Sequence, residues 1–333
     1  MQSPRRTIYI VMNRAFAVLL LLFLLASCAP APTSKPIPTY TPIIIAFTPT
    51  STSLPPTPTP SPRPPTSTPT SIPCDPTAID FCITDGHFLF ARPIHLPDNT
   101  FVDITYRYGS TANGKRDPHT GVEFVNKFGT PVYAAGVGKV IFAGPDKKPV
   151  YMPWPDYYGN LIVIEHADGL YTLYAHLSKI LVEQGQTVAV GEPIGAVGQT
   201  GVAIGPHIHF EVRRGDVQDQ DATENPELWL VPNLDETGSP RGVLQLSIVD
   251  QDGKLVKPVK YNLEHHTDKN QSADLIYYES TYDKKMLKEA ENAGIGDLPA
   301  GWYRIRLLYN GYSYDRWVEV QSGKLTQAVI TVK

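Results

Sequence analysis

The 333-residue chain has only three cysteines, no stripe of basic residues and no apolar run long enough to cross a bilayer. The apolar stretch "AFAVLLLLFLLA", Ala15 to Ala26, has twelve residues, where a spanning helix needs about 20. Net charge is −4, and Arg5, Arg6 and Arg14 all precede or open that stretch. The remainder therefore carries 26 basic against 33 acidic residues, a balance that excludes nucleic acid as a partner. Helical periodicity is missing as well. Between Phe88 and Arg214 no stretch of ten or more residues repeats its apolar positions every 3.6 residues, so a helix-based fold is excluded there.

What is present begins with an address. A basic start followed by a short apolar run fits the h-region of a secretory signal. The run ends in "LASC", Leu25 to Cys28, which resembles a bacterial lipobox. That resemblance implies cleavage before Cys28, a lipidated sulfur and a chain held to a membrane outside the cytoplasm; two acyl chains give stable anchoring where one is marginal. Residues 29–73 then hold fifteen of the 32 prolines, mixed with Thr and Ser. Such a composition favours extended polyproline II over a packed core and reads as a stalk. Beyond it only Cys74 and Cys82 remain. In an exported protein two nearby cysteines are expected to pair as a structural disulfide.

The folded part reads as all-β. "PVYAAGVGKVIFAG", "NLIVIEH", "LYTLYAHL", "TVAVGEPIGAVG" and "HIHFEVRRG" are short and rich in Val, Ile, Tyr and Gly, and predict antiparallel strands in a first domain over 74–221. Residues 222–240 read as a linker. A second, smaller β-sandwich is expected over 241–333, opening with a hairpin in "GVLQLSIVDQDGKLV". This hairpin, with the later "LPAGWYRIRL", resembles transthyretin-like or carboxypeptidase-regulatory-like modules. His265 and His266 are adjacent, so on a strand they point to opposite faces and cannot share a metal; they read as surface polar residues. In "GQTVAVGEPIGAVG" no lysine stands at a hairpin tip, which argues against cofactor attachment.

Five of the nine histidines lie between 119 and 209. "GPHIHFEV" places His207 and His209 on one face of a strand, because side chains alternate with a period of two. "DPHTGVEF" supplies His119 and Glu123, and "LYTLYAHLS" supplies His176 at a strand end. His166, in "EHADG", reads as a turn-capping or space-filling residue.

Together these stretches resemble the lysostaphin/LytM-type zinc endopeptidases, whose pattern is H-x-G-x-D, then Y-x-H-L, then G-x-H-x-H-F-E. The likeness covers roughly residues 88–214, with all elements in the same order. It implies that His119, Glu123 and His209 bind one zinc ion, and that His176 and His207 are catalytic without binding it. It also implies hydrolysis of peptide cross-links in peptidoglycan at the cell envelope. Two imidazoles and a carboxylate leave a fourth tetrahedral position open, as catalytic zinc sites require. Unligated imidazoles nearby can accept a proton, stabilise an oxyanion and return a proton to a leaving amine. Glu123 departs from the pattern, which has aspartate there. The second reading is a weakly active or inactive module that binds peptidoglycan or regulates another wall hydrolase. Trp154, Tyr157 and Tyr158 either line a groove or pack their loop.

Overall fold

The computed structural model describes residues 74–333 except 257, 284–285 and 287–290. The leader, the Cys28 lipobox and the stalk lie outside the described residues. Among the described residues no helix is long and apolar enough to cross a membrane.

The strands that were legible from Val, Ile and Tyr content assemble into a seven-stranded antiparallel sheet. Its order is Thr223–Glu224, His207–Arg214, Leu170–Ala175, Asn160–Glu165, Gly138–Pro145 and Thr187–Val188, with Val122–Val125 also paired to His207–Arg214. A three-stranded sheet of Pro131–Tyr133, Pro193–Ala196 and Lys179–Ile180 lies beside it in sequence. The middle strands of the large sheet are buried on both faces, and Asn160–Glu165 and Leu170–Ala175 are accordingly apolar along most of their length. Ile208, Phe210 and Val212 join Phe124, Ile162, Ile164 and Tyr174 in one core, while Leu161, Val163, Leu173 and Ala175 enter another.

The C-terminal part is a pair of four-stranded sheets with a shared core. One runs Cys82–Thr84, Leu325–Thr331, Gly242–Val249, Ala293–Leu298; the other runs Leu275–Ser280, Lys260–His266, Gly301–Tyr309, Tyr312–Val320. Asn310 and Gly311 link the last two strands with positive φ at both positions (48° and 81°). This is the two-residue turn whose twist matches a hairpin.

Several sequence expectations change here. Cys74 and Cys82 are disulfide-bonded as expected. Yet Cys82–Thr84 pairs with Leu325–Thr331 in the C-terminal sheet, not with the first domain it precedes. A three-residue strand has too little alternation to reveal its partner. Gly242–Val249 runs parallel to Leu325–Thr331. The hairpin read from "DQDG" keeps its turn, but its second arm is a single bridge between Val249 and Leu255. The expected linker 222–240 is built into the fold, since Leu228, Trp229 and Leu230 are core residues. His265 and His266 are buried at 7% and 6% exposure, not superficial. Asp274 Oδ1 bonds His265 Nδ1 at 2.5 Å and the Gln271 carbonyl bonds His266 Nδ1 at 2.8 Å, while His266 Nε2 is buried without a hydrogen-bond partner.

Candidate metal centre

The central strand His207–Arg214 divides its side chains strictly. Ile208, Phe210 and Val212 go to the core, and His207, His209, Glu211 and Arg213 share the opposite face. Register supplies the next ligand. His209 lies directly opposite Glu123 on the neighbouring strand Val122–Val125, and directly opposite Ala175 on the other side. Cross-strand partners bring their Cβ atoms within about 4.5–5.5 Å, so Glu123 reaches the same face as His209. His176 follows Ala175 at the strand end in a left-handed conformation (φ 63°), an unusual state for a residue with a Cβ.

His119 enters from the loop before Val122–Val125. Glycine at 121 is obligatory for that approach: a Cβ there would meet the Phe210 carbonyl oxygen at 2.4 Å and His209 Nε2 at 2.9 Å. The result is a gathering of His119, Glu123 and His209, whose ligand atoms lie within 4.8 Å of one another. His119 Nε2 is 3.7 Å from Glu123 Oε1 and 3.1 Å from His209 Nδ1. His207 and His176 stand beside them, with ring centroids 4.8 Å apart, and His207 Nε2 is 3.6 Å from Glu123 Oε1.

Hydrogen bonds fix which nitrogen of each ring carries its proton. His119 Nδ1 donates to the Tyr106 carbonyl at 2.8 Å, and His209 Nε2 donates to Glu211 Oε1 at 2.9 Å. Both partners only accept. The remaining nitrogens, His119 Nε2 and His209 Nδ1, therefore face each other with lone pairs at 3.1 Å. Neutral rings so placed repel unless a cation joins them. A tetrahedral zinc with bonds of ~2.0–2.1 Å would set its nitrogens about 3.3–3.4 Å apart, close to the separation present. The residues fit a metal ion. His176 Nδ1 donates to the Thr200 carbonyl at 2.9 Å and His207 Nδ1 to the Gly205 carbonyl at 3.0 Å, leaving both Nε2 atoms as acceptors. His207 Nε2 is buried without a hydrogen-bond partner.

Charge follows from burial. Burial, reinforced by His209, pushes His119 well below the usual histidine range. Burial together with His209 and His207 takes His176 down to about 3, and burial also lowers His207. All three rings are neutral at pH 7, the form in which imidazole binds metal or accepts a proton.

Glu211 was not picked out from the sequence, although the rule that aligned His207 with His209 also aligns position 211. It is fully buried and holds much of the site together. Its Oε1 accepts from Thr120 and Tyr158 hydroxyls at 2.6 Å each, in addition to His209, and its Oε2 accepts from Arg213 Nε at 2.8 Å. Burial alone would raise its pKa. Arg213 and the hydrogen bonds from His209 and Thr120 overcome that and hold the carboxyl well below the usual range. Tyr158 thus packs the site from within, while Trp154 is 47% exposed and the Tyr157 ring lies tilted against it with centroids 5.9 Å apart. His166 is filled as expected, bonded to the Val137 carbonyl and Thr172 Oγ1 at 2.8 and 2.7 Å.

Comparison with known proteins gives the same stretch a family. Residues 117–222 match the model of Peptidase family M23. The chain is 46% identical over 99 residues to Peptidoglycan DD-endopeptidase ShyB of Vibrio cholerae, covering 30% of this chain and 21% of that protein. It is 43% identical over 119 residues to Peptidoglycan DD-endopeptidase ShyA of the same organism, covering 33% and 26%. The chain therefore spans about a quarter or less of the length of these curated relatives. A solved zinc-containing peptidase from Vibrio cholerae is 36% identical, covers 39% of this chain and 40% of that one, and has a TM-score of 0.32. The stretch similar to Peptidase family M23, residues 117–222, is the one that carries His119, Glu123, His176, His207 and His209.

Proposed function

We propose that the protein is a zinc-dependent endopeptidase that hydrolyses peptide cross-links of bacterial peptidoglycan, tethered at the cell envelope through a lipidated Cys28. The observation that carries this reading is the pair of facing lone pairs on His119 Nε2 and His209 Nδ1, 3.1 Å apart, with Glu123 beside them. The relatives named DD-endopeptidases support the substrate class.

His119, Glu123 and His209 would hold the metal. Zinc in such a site supplies Lewis acidity and lowers the pKa of water to about 7. His176 and His207 do the remaining work. Each keeps its Nε2 as an acceptor because its Nδ1–H is committed to a backbone carbonyl. Either can therefore take a proton from the attacking water at neutral pH, and once protonated can stabilise the oxyanion or pass the proton to the departing amine. Glu123 would serve where the family pattern has aspartate, and its Oε1 stands 3.7 Å from His119 Nε2.

Exposure of the full chain to purified peptidoglycan with zinc, followed by mass spectrometry of released fragments, tests the reading. Release that is lost in His209→Ala supports it, and the fragment masses name the bond. Zinc binding without release, combined with retention on peptidoglycan, would favour the binding or regulatory module instead.

A further inference from the structure

We propose that the C-terminal sandwich is a working part of the metal centre, with Arg107 and Glu279 as positioning residues for His119. The inference rests on the metal reading above. His119 is oriented by three hydrogen bonds to one short segment. Its Nδ1 donates to the Tyr106 carbonyl, its backbone N–H donates to the Ser110 carbonyl at 3.0 Å, and its carbonyl accepts from Gly109 N–H at 2.8 Å. Wherever residues 106–110 go, His119 Nε2 goes with them.

The middle of that segment is held from far away in sequence. Arg107 is buried and paired with Glu227 and with Glu279, whose Oε1 accepts from Arg107 Nε at 3.2 Å. Glu279 belongs to the sandwich strand Leu275–Ser280 and lies 172 positions along the chain. The Tyr108 ring meets Tyr282 edge-on at 5.0 Å, and its hydroxyl donates to the Thr223 carbonyl. Gly109 has φ 74° and lies so close to Tyr282 that a Cβ would meet that side chain at 2.8 Å; its carbonyl accepts from the Asp283 N–H at 3.0 Å. Three consecutive residues of the cradle therefore each touch Glu279, Tyr282 or Asp283.

Other contacts join the two β parts as well, among them Arg92 with Asp297 and Asn225 with Tyr282 and Gly294. Residues 107–109 are the ones that tie the His119 cradle itself to the sandwich, and they line a cleft of about 530 Å³ between residues 104–114 and the sandwich. Loss of an outer hydrogen-bonding partner of a metal ligand typically weakens binding 10–100-fold. Glu279 acts one step further out, through Arg107, so about tenfold is expected.

The test measures zinc affinity of the full chain by chelator competition, together with ring ¹⁵N resonances of histidine in the zinc-free protein. Glu279→Gln should bind zinc about tenfold more weakly and shift the His119 resonance, while His166 stays unmoved. Val318→Ala, in the sandwich core, should lower stability and leave zinc affinity at the wild-type value. Should Glu279→Gln not fold, Tyr282→Leu, which removes the ring packed on Tyr108, is read the same way. Wild-type affinity with an unmoved His119 resonance in Glu279→Gln overturns the proposal, as does an equal loss in Val318→Ala. If the wild type takes no zinc, the metal reading fails separately, and the His119 resonance alone decides the coupling.

Discussion

Replacing Glu211 by glutamine changes one atom and should disable the metal centre. The carboxylate receives five donors: His209, Thr120 and Tyr158 on Oε1, and two Arg213 nitrogens on Oε2. An amide has a single acceptor oxygen and must turn its NH₂ toward one of these groups. In either orientation the buried Arg213 guanidinium loses its counter-charge, a loss of about 3–5 kcal/mol. Turned toward His209, the amide forces the imidazole into the other tautomer, with its proton on Nδ1, the atom that faces His119 Nε2 at 3.1 Å. Zinc affinity should then fall 10–100-fold, or about 1.4–2.8 kcal/mol. Both losses are measurable, the first by urea denaturation in the presence of chelator and the second by competition with a zinc-binding dye. Wild-type stability together with wild-type zinc affinity in Glu211→Gln would refute the assignment of His209 Nδ1 as the ligand atom.

His176→Ala and His207→Ala should keep zinc affinity within about twofold but reduce peptide release by 10²–10⁴, the usual range for lost proton transfer; parallel loss of zinc would make them ligands. Gly121→Ala should destabilise the protein by about 2 kcal/mol or more, because its Cβ would press on the Phe210 carbonyl and on His209; denaturant midpoints check this, and an unchanged midpoint contradicts it. Stability of the chelated protein should fall with acid. His119 and His176 are depressed by burial, His176 to about 3, so between pH 6.5 and 3 the unfolded chain takes up protons that the folded one refuses. Stability is therefore full above about pH 6.5 and drops by about 1.4 kcal/mol per pH unit for each such histidine; a flat profile from pH 7 to 4.5 would count against neutral buried rings.

The strands were legible because they rest on local patterns. A period of two placed His207 with His209, and the resemblance to the lysostaphin/LytM-type pattern placed His119 and Glu123 near them. The same period carries Glu211 and Arg213 onto the imidazole face, and a carboxylate two residues beyond a candidate ligand was the signal that could have found Glu211. Other features depend on partners distant in sequence. Nothing local to Cys82–Thr84 names Leu325–Thr331 as its neighbour. His265 and His266 looked superficial because the Asp274 carboxylate and the Gln271 carbonyl that bond their Nδ1 atoms come from the turn beyond the strand. Arg107 is one of many basic residues until Glu227 and Glu279 are seen around it.

Titration of the chelated full chain with zinc, with bound metal and peptidoglycan fragment release followed in the same samples, tests the central claim most directly. The account predicts that binding saturates at one equivalent and that release rises with it, both lost in His119→Ala. Release that persists in the chelated protein, or that never rises although one equivalent of zinc binds, would contradict it.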